Sequence, residues 1–166
     1  MRNCNGKILT KEAMASERER LRAAGKTVVF TNGCFDILHS GHIEYLDFAR
    51  GQGDVLVLGM NSDASVRRNK GDDRPINCEQ DRGRVLAALE CIDYVVLFDE
   101  DEPASLVDAL LPDVLVKGED WAHYVSGREA VEAAGGKVVL AKMVEGRSTT
   151  GTIEKILEVY GGKNED

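Results

Sequence analysis

The sequence predicts an α/β fold: a Rossmann-like, open, parallel five-stranded sheet with helices on both faces. Three observations lead there. Short apolar runs that do not alternate with polar residues recur along the chain, as strands buried on both faces require. Between them lie longer segments with apolar residues three and four apart, the period of an amphipathic helix. The chemically unusual residues collect directly after the apolar runs, at the carboxyl edge where open parallel sheets bind ligands.

Each element has its own signal. Residues 10–24 are rich in Ala, Glu and Arg, with Thr10 as a helix N-cap and Gly25 as a stop. Residues 27–31 read as strand one and 41–50 as a helix closed by Gly51 and Gly53. Residues 55–60, nearly all apolar, form strand two. Residues 67–77 carry charge together with Gly71 and Pro75 and read as a mobile loop. Residues 79–91 are an amphipathic helix with Val85, Leu86, Leu89 and Ile92 on one face. Strand three is 94–98, and Pro103 opens a helix to Leu111 that Pro112 ends. Strand four is 114–116, and Ser126 caps a helix running to Ala134 before Gly135-Gly136. Strand five is 137–141; Ser148 or Thr149 caps a last helix with Ile153, Ile156 and Leu157 inward.

Composition narrows the function. The 166 residues suit one domain with a substantial core, built mainly from Val, Leu, Ile and Ala because aromatics are only 5%. A net charge of −8 excludes a general nucleic-acid surface but leaves room for a locally positive pocket. Cys4, Cys34, Cys78 and Cys91 show neither Cys-x-x-Cys pairing nor matching histidines, so no zinc site is expected and redox sensing has no paired thiols behind it. The first residues lack an apolar signal core and no run reaches membrane-spanning length, so a reduced, cytoplasmic protein with no membrane partner is expected.

The most telling stretch is Gly33-Cys34-Phe35-Asp36-Ile37-Leu38-His39-Ser40-Gly41-His42, which holds two of the three histidines. A strand, a glycine-bearing turn and a helix start together form a phosphate cradle. The first N–H groups of a helix are unpaired, and its dipole favours anions there. Gly41 lets backbone approach phosphate, and His39 and His42 add donors; Asp36 would repel phosphate unless it caps backbone N–H groups or helps hold a metal. Three further segments reach the same edge: 61–63 after strand two, 117–121 after strand four, and 145–150 after strand five. Ser148-Thr149-Thr150 opens a helix there and can cap it while facing phosphate. His123 reads as a surface residue, and Cys34 is not expected to act as a nucleophile.

The pattern Gly-x-Phe-Asp-x-x-His-x-Gly-His resembles the signature of the cytidylyltransferase-like family of nucleotidyltransferases, the HxGH type of the fold. Residues 31–39, 61–65, 70–72, 74–77 and 115–118 resemble the branch that adenylylates D-glycero-β-D-manno-heptose 1-phosphate, often found as half of a bifunctional kinase–adenylyltransferase. The likeness covers about 27–157, so residues 1–26 are expected to be an N-terminal helical extension, 27–160 the transferase domain in stand-alone form, and 161–166 a disordered tail.

The resemblance implies His39, His42 and Lys70 as catalytic, Lys70 closing over the triphosphate. It implies Thr31, Asn32, Gly33, Phe35, Gly41, Arg82, Lys117, Gly118, Asp120, Ser148, Thr149 and Thr150 as nucleotide-binding, with Trp121 near base or ribose. It implies ATP and a sugar 1-phosphate as substrates, Mg²⁺ as cofactor, and a homodimer. One departure stands out: where the glycerol-phosphate cytidylyltransferase branch has an arginine, this chain has Met143, with Arg147 four residues on. Two alternatives are a cytidylyltransferase acting on glycerol 3-phosphate or another polyol phosphate, and a non-catalytic nucleotide-binding regulatory domain.

Overall fold

The computed structural model describes residues 4–144 and 146–161. Along the chain come β1 (Ile8–Leu9), α1 (Lys11–Ala23), β2 (Val28–Gly33), α2 (Ser40–Arg50), β3 (Val55–Asn61) and α3 (Asp63–Lys70). They are followed by α4 (Glu79–Ala88), β4 (Tyr94–Phe98), α5 (Ala104–Leu110), β5 (Val114–Gly118), α6 (Arg128–Ala133), β6 (Lys137–Ala141) and α7 (Thr149–Tyr160). The expected tail, 161–166, lies outside the described residues apart from Gly161. No helix among the described residues is long and apolar enough to cross a membrane.

The strands form one parallel sheet in the order β1-β4-β3-β2-β5-β6. The sheet has six strands rather than the expected five. The addition is β1, whose two residues pair Ile8 with Val95 and Leu9 with Val96 at one edge. Two residues are too few to show any hydrophobic period. All of β3 is buried, as a central strand covered on both faces must be. One core layer gathers Met14, Phe30, Val57, Leu106 and Leu115; the other gathers Leu46, Leu56, Leu58, Leu86 and Val95. Alternate residues of each strand feed the two layers.

Several local expectations change. Residues 67–70 are not loop but the end of α3, which starts earlier because Ser62 accepts from Ser65 N at 3.0 Å, and which stops at Gly71 with φ +97°. The helix read over 79–91 ends at Ala88, and the one read from Ser126 starts after Gly127. Val85 faces solvent, unlike its expected companions Leu86 and Ile92. The apolar face of α7 is largely uncovered: Ile156 is 49% and Leu157 61% exposed, Ile153 is half-buried, and α7 fully buries no residue.

The N-terminal segment is built into the fold. Met14, Arg18 and Leu21 of α1 are buried against the sheet layer that holds α5. The Arg18 guanidinium donates to Leu110 O at 3.1 Å and Leu111 O at 2.9 Å, the open end of α5, and to Asp113 Oδ1 at 2.9 Å. Asp113 in turn accepts from Val28 N, so one buried arginine ties α1, α5 and the start of β2 together. Replacing Arg18 by Ala leaves two carbonyls and a carboxylate short of donors and is expected to cost about 2–4 kcal/mol of stability. Urea unfolding checks this; a loss under about 1 kcal/mol would contradict the brace.

Candidate active site

The strand order reverses direction between β2 and β5, and the crevice outside their carboxyl ends is where open sheets place ligands. Lys117 Nζ, at the end of β5, donates to Asn32 Oδ1 of β2 at 2.9 Å across that crevice. Above it opens a cavity of about 310 Å³ lined by the turn after β2, the start of α2, the segment after β5 and the start of α7. The four segments expected at this rim contribute unequally: those at β2, β5 and β6 line the cavity, whereas Asn61, the last residue of β3, lines a second one of about 440 Å³. The two cavities share His42, Lys70, Lys117, Trp121 and Thr149 as walls.

His39 is the residue before α2 and His42 lies in its first turn, so their rings fall on one face and stack with centroids 3.9 Å apart. Burial, then the neighbouring His39, push the His42 pKa down from 6.5 to about 4. Burial, with Arg147 nearby, lowers that of His39. Both rings are therefore neutral near pH 7. His39 N–H donates to His42 Nδ1 at 3.4 Å, which leaves the Nε2 proton of His42 free to donate. Gly41 sits between them with little room: a Cβ would lie 3.1 Å from His39 Nδ1 and 3.2 Å from Arg147 Cβ. Phe35 holds the turn with φ +48°, a left-handed value that bulky residues avoid.

On the far wall, burial lowers the Lys117 pKa, and its ammonium lies 5.5 Å from the Trp121 ring centre. Gly118 lets the ends of Met143 and Asp120 close in, since a Cβ there would meet Met143 Sδ at 2.8 Å and the Asp120 carboxyl and push both aside. Asp120 and Trp121 line the cavity from the turn after β5. At the remaining side, Ser148 accepts from Gly151 N at 2.9 Å and caps α7. Thr149 donates its hydroxyl to Ile37 O at 3.2 Å, tying α7 to the signature turn, and Thr150 lines the second cavity. Lys70 is exposed at the end of α3 and lines both cavities.

Two expected ligand residues sit elsewhere. The Thr31 side chain is fully buried and its hydroxyl bonds Tyr45 OH at 2.6 Å, beneath the cavity floor. Arg82 lines neither of the two cavities. Its guanidinium, fully buried, donates to Cys34 O at 2.6 Å, Asn61 O at 2.9 Å, Asn77 O at 3.0 Å and Asp63 Oδ1 at 2.7 Å. A charge so occupied, with four of its five N–H donors bonded to the rim, serves as a brace there. Asp36 acts in the same way, accepting from Ile76 N, Asn77 N and Arg74 Nε. Those bonds outweigh burial and hold its carboxyl below the ordinary range.

The structure also adds residues beyond the expected ligands, and it locates Arg147, already noted from the sequence beside Met143. Arg147 lines the cavity beside His39 and Gly41, four positions after Met143, which lines it too. Tyr45 joins the floor, its hydroxyl donating to Val116 O at 3.2 Å; helical spacing alone gave it no distinction from a core aromatic. Asp101, Glu102, Tyr124 and Ser126 line the second cavity. The first two belong to an acidic run that reads as an ordinary solvated stretch.

The His42 imidazole should stay neutral far below the usual histidine range. Because its folded pKa of about 4 lies under 6.5, the unfolded chain takes up the proton first as pH falls. The group therefore costs no stability above about pH 6.5 and erodes it between about 6.5 and 4. An NMR titration of the ring protons, assigned with His42→Asn, checks the value; titration near 6.5 in the free protein would contradict the buried stack.

Comparison with known proteins bears on the same residues. The cytidylyltransferase-like family model matches residues 30–156. A protein of Syntrophotalea carbinolica named bifunctional protein HldE is 57% identical over 157 residues, 94% of this chain and 32% of that protein. Its namesake in Mesorhizobium japonicum is 57% identical over 147 residues, 86% of this chain and 30% of that protein. The chain thus spans about a third of the length of these relatives. Among solved structures, the lipopolysaccharide core biosynthesis protein from Thermoplasma volcanium has a TM-score of 0.59 at 30% identity, covering 72% of this chain and 98% of that one. The pantoate-β-alanine ligase from Francisella tularensis, with a TM-score of 0.58 at 16% identity over 91% of this chain and 78% of its own, shares the fold. Since the match runs through the turn that builds the cradle and on past the start of α7, this chain belongs to the cytidylyltransferase-like family of nucleotidyltransferases.

Proposed function

We propose that the protein transfers the adenylyl group of ATP to D-glycero-β-D-manno-heptose 1-phosphate, giving ADP-heptose and pyrophosphate. The observation that carries a two-substrate transfer is the pair of joined cavities sharing His42, Lys70 and Lys117 as walls. A binding module for one nucleotide has no use for the second. The choice of heptose rests on the resemblance of the flanking segments to that branch, and on relatives named HldE over most of the chain. The likeness to a lipopolysaccharide core biosynthesis protein agrees with it. Use of ATP places the reaction in the cytoplasm.

In this reading ATP lies in the cavity beside His39, Gly41 and Ser148, its phosphates on the N-termini of α2 and α7. Lys117, Gly118, Asp120 and Trp121 border its ribose and base, and Asn32 is held in place by Lys117. An anionic oxygen of the acceptor phosphate attacks the α-phosphorus in line. The new O–P bond forms as the bond to the β-phosphate bridge breaks, and that electron pair departs with pyrophosphate. The nucleophile is already charged, so no general base is needed. Catalysis comes from alignment and from donors aimed at the phosphate oxygens. His39 and His42 donate as neutral imidazoles, while Lys70 and Arg147 bring positive charge. Cys34 takes no part as a nucleophile, since burial pushes its thiol pKa up.

Mg²⁺ fits this donor set only as an ion held largely by phosphate. Among the described residues no three His, Cys, Asp or Glu side chains gather into a cage, and Asp120 is the carboxylate that lines the nucleotide cavity. Phosphate oxygens and water would complete its shell, and the ion would supply charge neutralisation between phosphates.

Incubation with Mg²⁺, each nucleoside triphosphate in turn and a panel of sugar and polyol phosphates should release pyrophosphate fastest with ATP and heptose 1-phosphate. Preference for CTP with glycerol 3-phosphate would overturn the assignment. His42→Ala should lower kcat about 10²–10³-fold with a smaller change in the ATP KM, as expected for a donor that acts chiefly in the transition state. Lys70→Ala should likewise lose mainly kcat; near-full turnover in both variants would remove the mechanism.

A further inference from the structure

The second cavity has a wall for which the mechanism gives no role. After β4 the chain runs Asp99-Glu100-Asp101-Glu102 into Pro103. Asp99 accepts from the Ser62 hydroxyl, and Asp101 pairs with Arg68 at 2.6 Å. Glu102 instead faces the cavity and accepts from Tyr124 OH at 2.7 Å. Beside them Ser126 is only 7% exposed, and its buried hydroxyl lies near the Tyr124 phenol without a well-formed hydrogen bond. Asp101, Glu102, Tyr124 and Ser126 therefore share a cavity with Lys70, Lys117 and the Arg74–Asp36 pair.

These groups divide by chemistry. A carboxylate repels phosphate, so the Glu102 wall does not suit the anionic end of an acceptor. It suits a neutral group rich in O–H donors: Glu102 has further lone pairs to accept with, and the Tyr124 and Ser126 hydroxyls can each donate or accept. Tyr124 stays a phenol at neutral pH, because the bond to Glu102 pushes its pKa up. Trp121, lining the same cavity, offers a ring face to the C–H side of a sugar. The Ser126 hydroxyl, whose contact with Tyr124 falls short of a well-formed hydrogen bond, keeps capacity for a ligand.

Resting on the transfer reaction proposed above, we infer that Glu102, Tyr124 and Ser126 form the acceptor subsite and read the sugar hydroxyls remote from the phosphate. The cations of the same cavity take the phosphate end. Glu102 and Tyr124 are then specificity-determining residues, and the acceptor they select is a polyhydroxylated monophosphate rather than a compact anion.

The test uses Glu102→Gln and Tyr124→Phe, two near-isosteric changes at exposed positions that leave the fold intact. Steady-state pyrophosphate release gives KM for ATP and for heptose 1-phosphate. Quenching of Trp121, the chain's single tryptophan, gives heptose 1-phosphate binding without turnover. Each variant should raise KM and Kd for heptose 1-phosphate about tenfold or more, because a site built around hydroxyls is left with unpaired groups. The KM for ATP should hold within about twofold, as the nucleotide cavity is untouched. Preference over β-D-mannose 1-phosphate, which lacks the seventh carbon and its hydroxyl, should narrow. An unchanged heptose 1-phosphate KM, or a rise confined to ATP, overturns the subsite. If the wild type instead turns over only CTP with glycerol 3-phosphate, the heptose assignment falls, and the subsite is decided by whether the same variants raise the glycerol 3-phosphate KM.

Discussion

A buried guanidinium holds the rim of this site in register. Arg82 reaches the signature turn through Cys34 O, the end of β3 through Asn61 O, the entrance of α4 through Asn77 O, and the start of α3 through Asp63. Turns at a sheet edge carry carbonyls that find no partner in the sheet, and a planar five-donor group can satisfy several at once. Asp36 completes the frame with the opposite charge, accepting the backbone N–H groups of Ile76 and Asn77. Held from both sides, the turn keeps Phe35 in a left-handed conformation it would not choose alone. Asn32, Gly33 and His39 are thereby set before any ligand arrives, the preorganisation that alignment-based catalysis needs.

The charge pattern inside that frame suits the triphosphate proposed to bind there. The net charge is −8, yet Lys70, Lys117 and Arg147 all line one cavity. Adding two imidazolium ions would crowd positive charge into a half-buried space. The stacked rings avoid this by remaining neutral, since burial disfavours their charged forms. A phosphate bound as proposed would meet a mixture of full charges at the edges and neutral donors at the centre. Neutral donors strengthen as charge shifts toward the oxygens they face, and they carry a smaller desolvation cost than cations would.

The sheet was legible in the sequence because its strands are apolar on both faces and its turns are marked by glycine and proline; the spans read for 94–98 and 137–141 match β4 and β6. The turn with its paired histidines at a helix start was legible because backbone geometry and residue type coincide in one short stretch. What failed was whatever depends on long-range partners. Arg82 looks like any cation at a helix start, and only the fold shows its guanidinium enclosed by carbonyls. Glu102 and Tyr124 are 22 residues apart and belong to segments that read as solvent-facing, so nothing local joins them. The inward face expected of α7 was wrong for a different reason: its period is helical, but an amphipathic pattern does not say whether anything covers it.

That last helix has an energetic consequence. Its N-terminal residues line the nucleotide cavity, but no side chain of α7 is sequestered in either core layer. Its local opening free energy therefore comes from few attachments, among them the Thr149 hydroxyl on Ile37 O, and lies well below that of the sheet. In the proposed complex, nucleotide phosphate seated on its first turn would supply an attachment the core does not. Ligand affinity and helix docking become one linked equilibrium: part of the binding free energy goes into closing α7, and slow amide exchange along 150–160 should become a signature of the bound state alone.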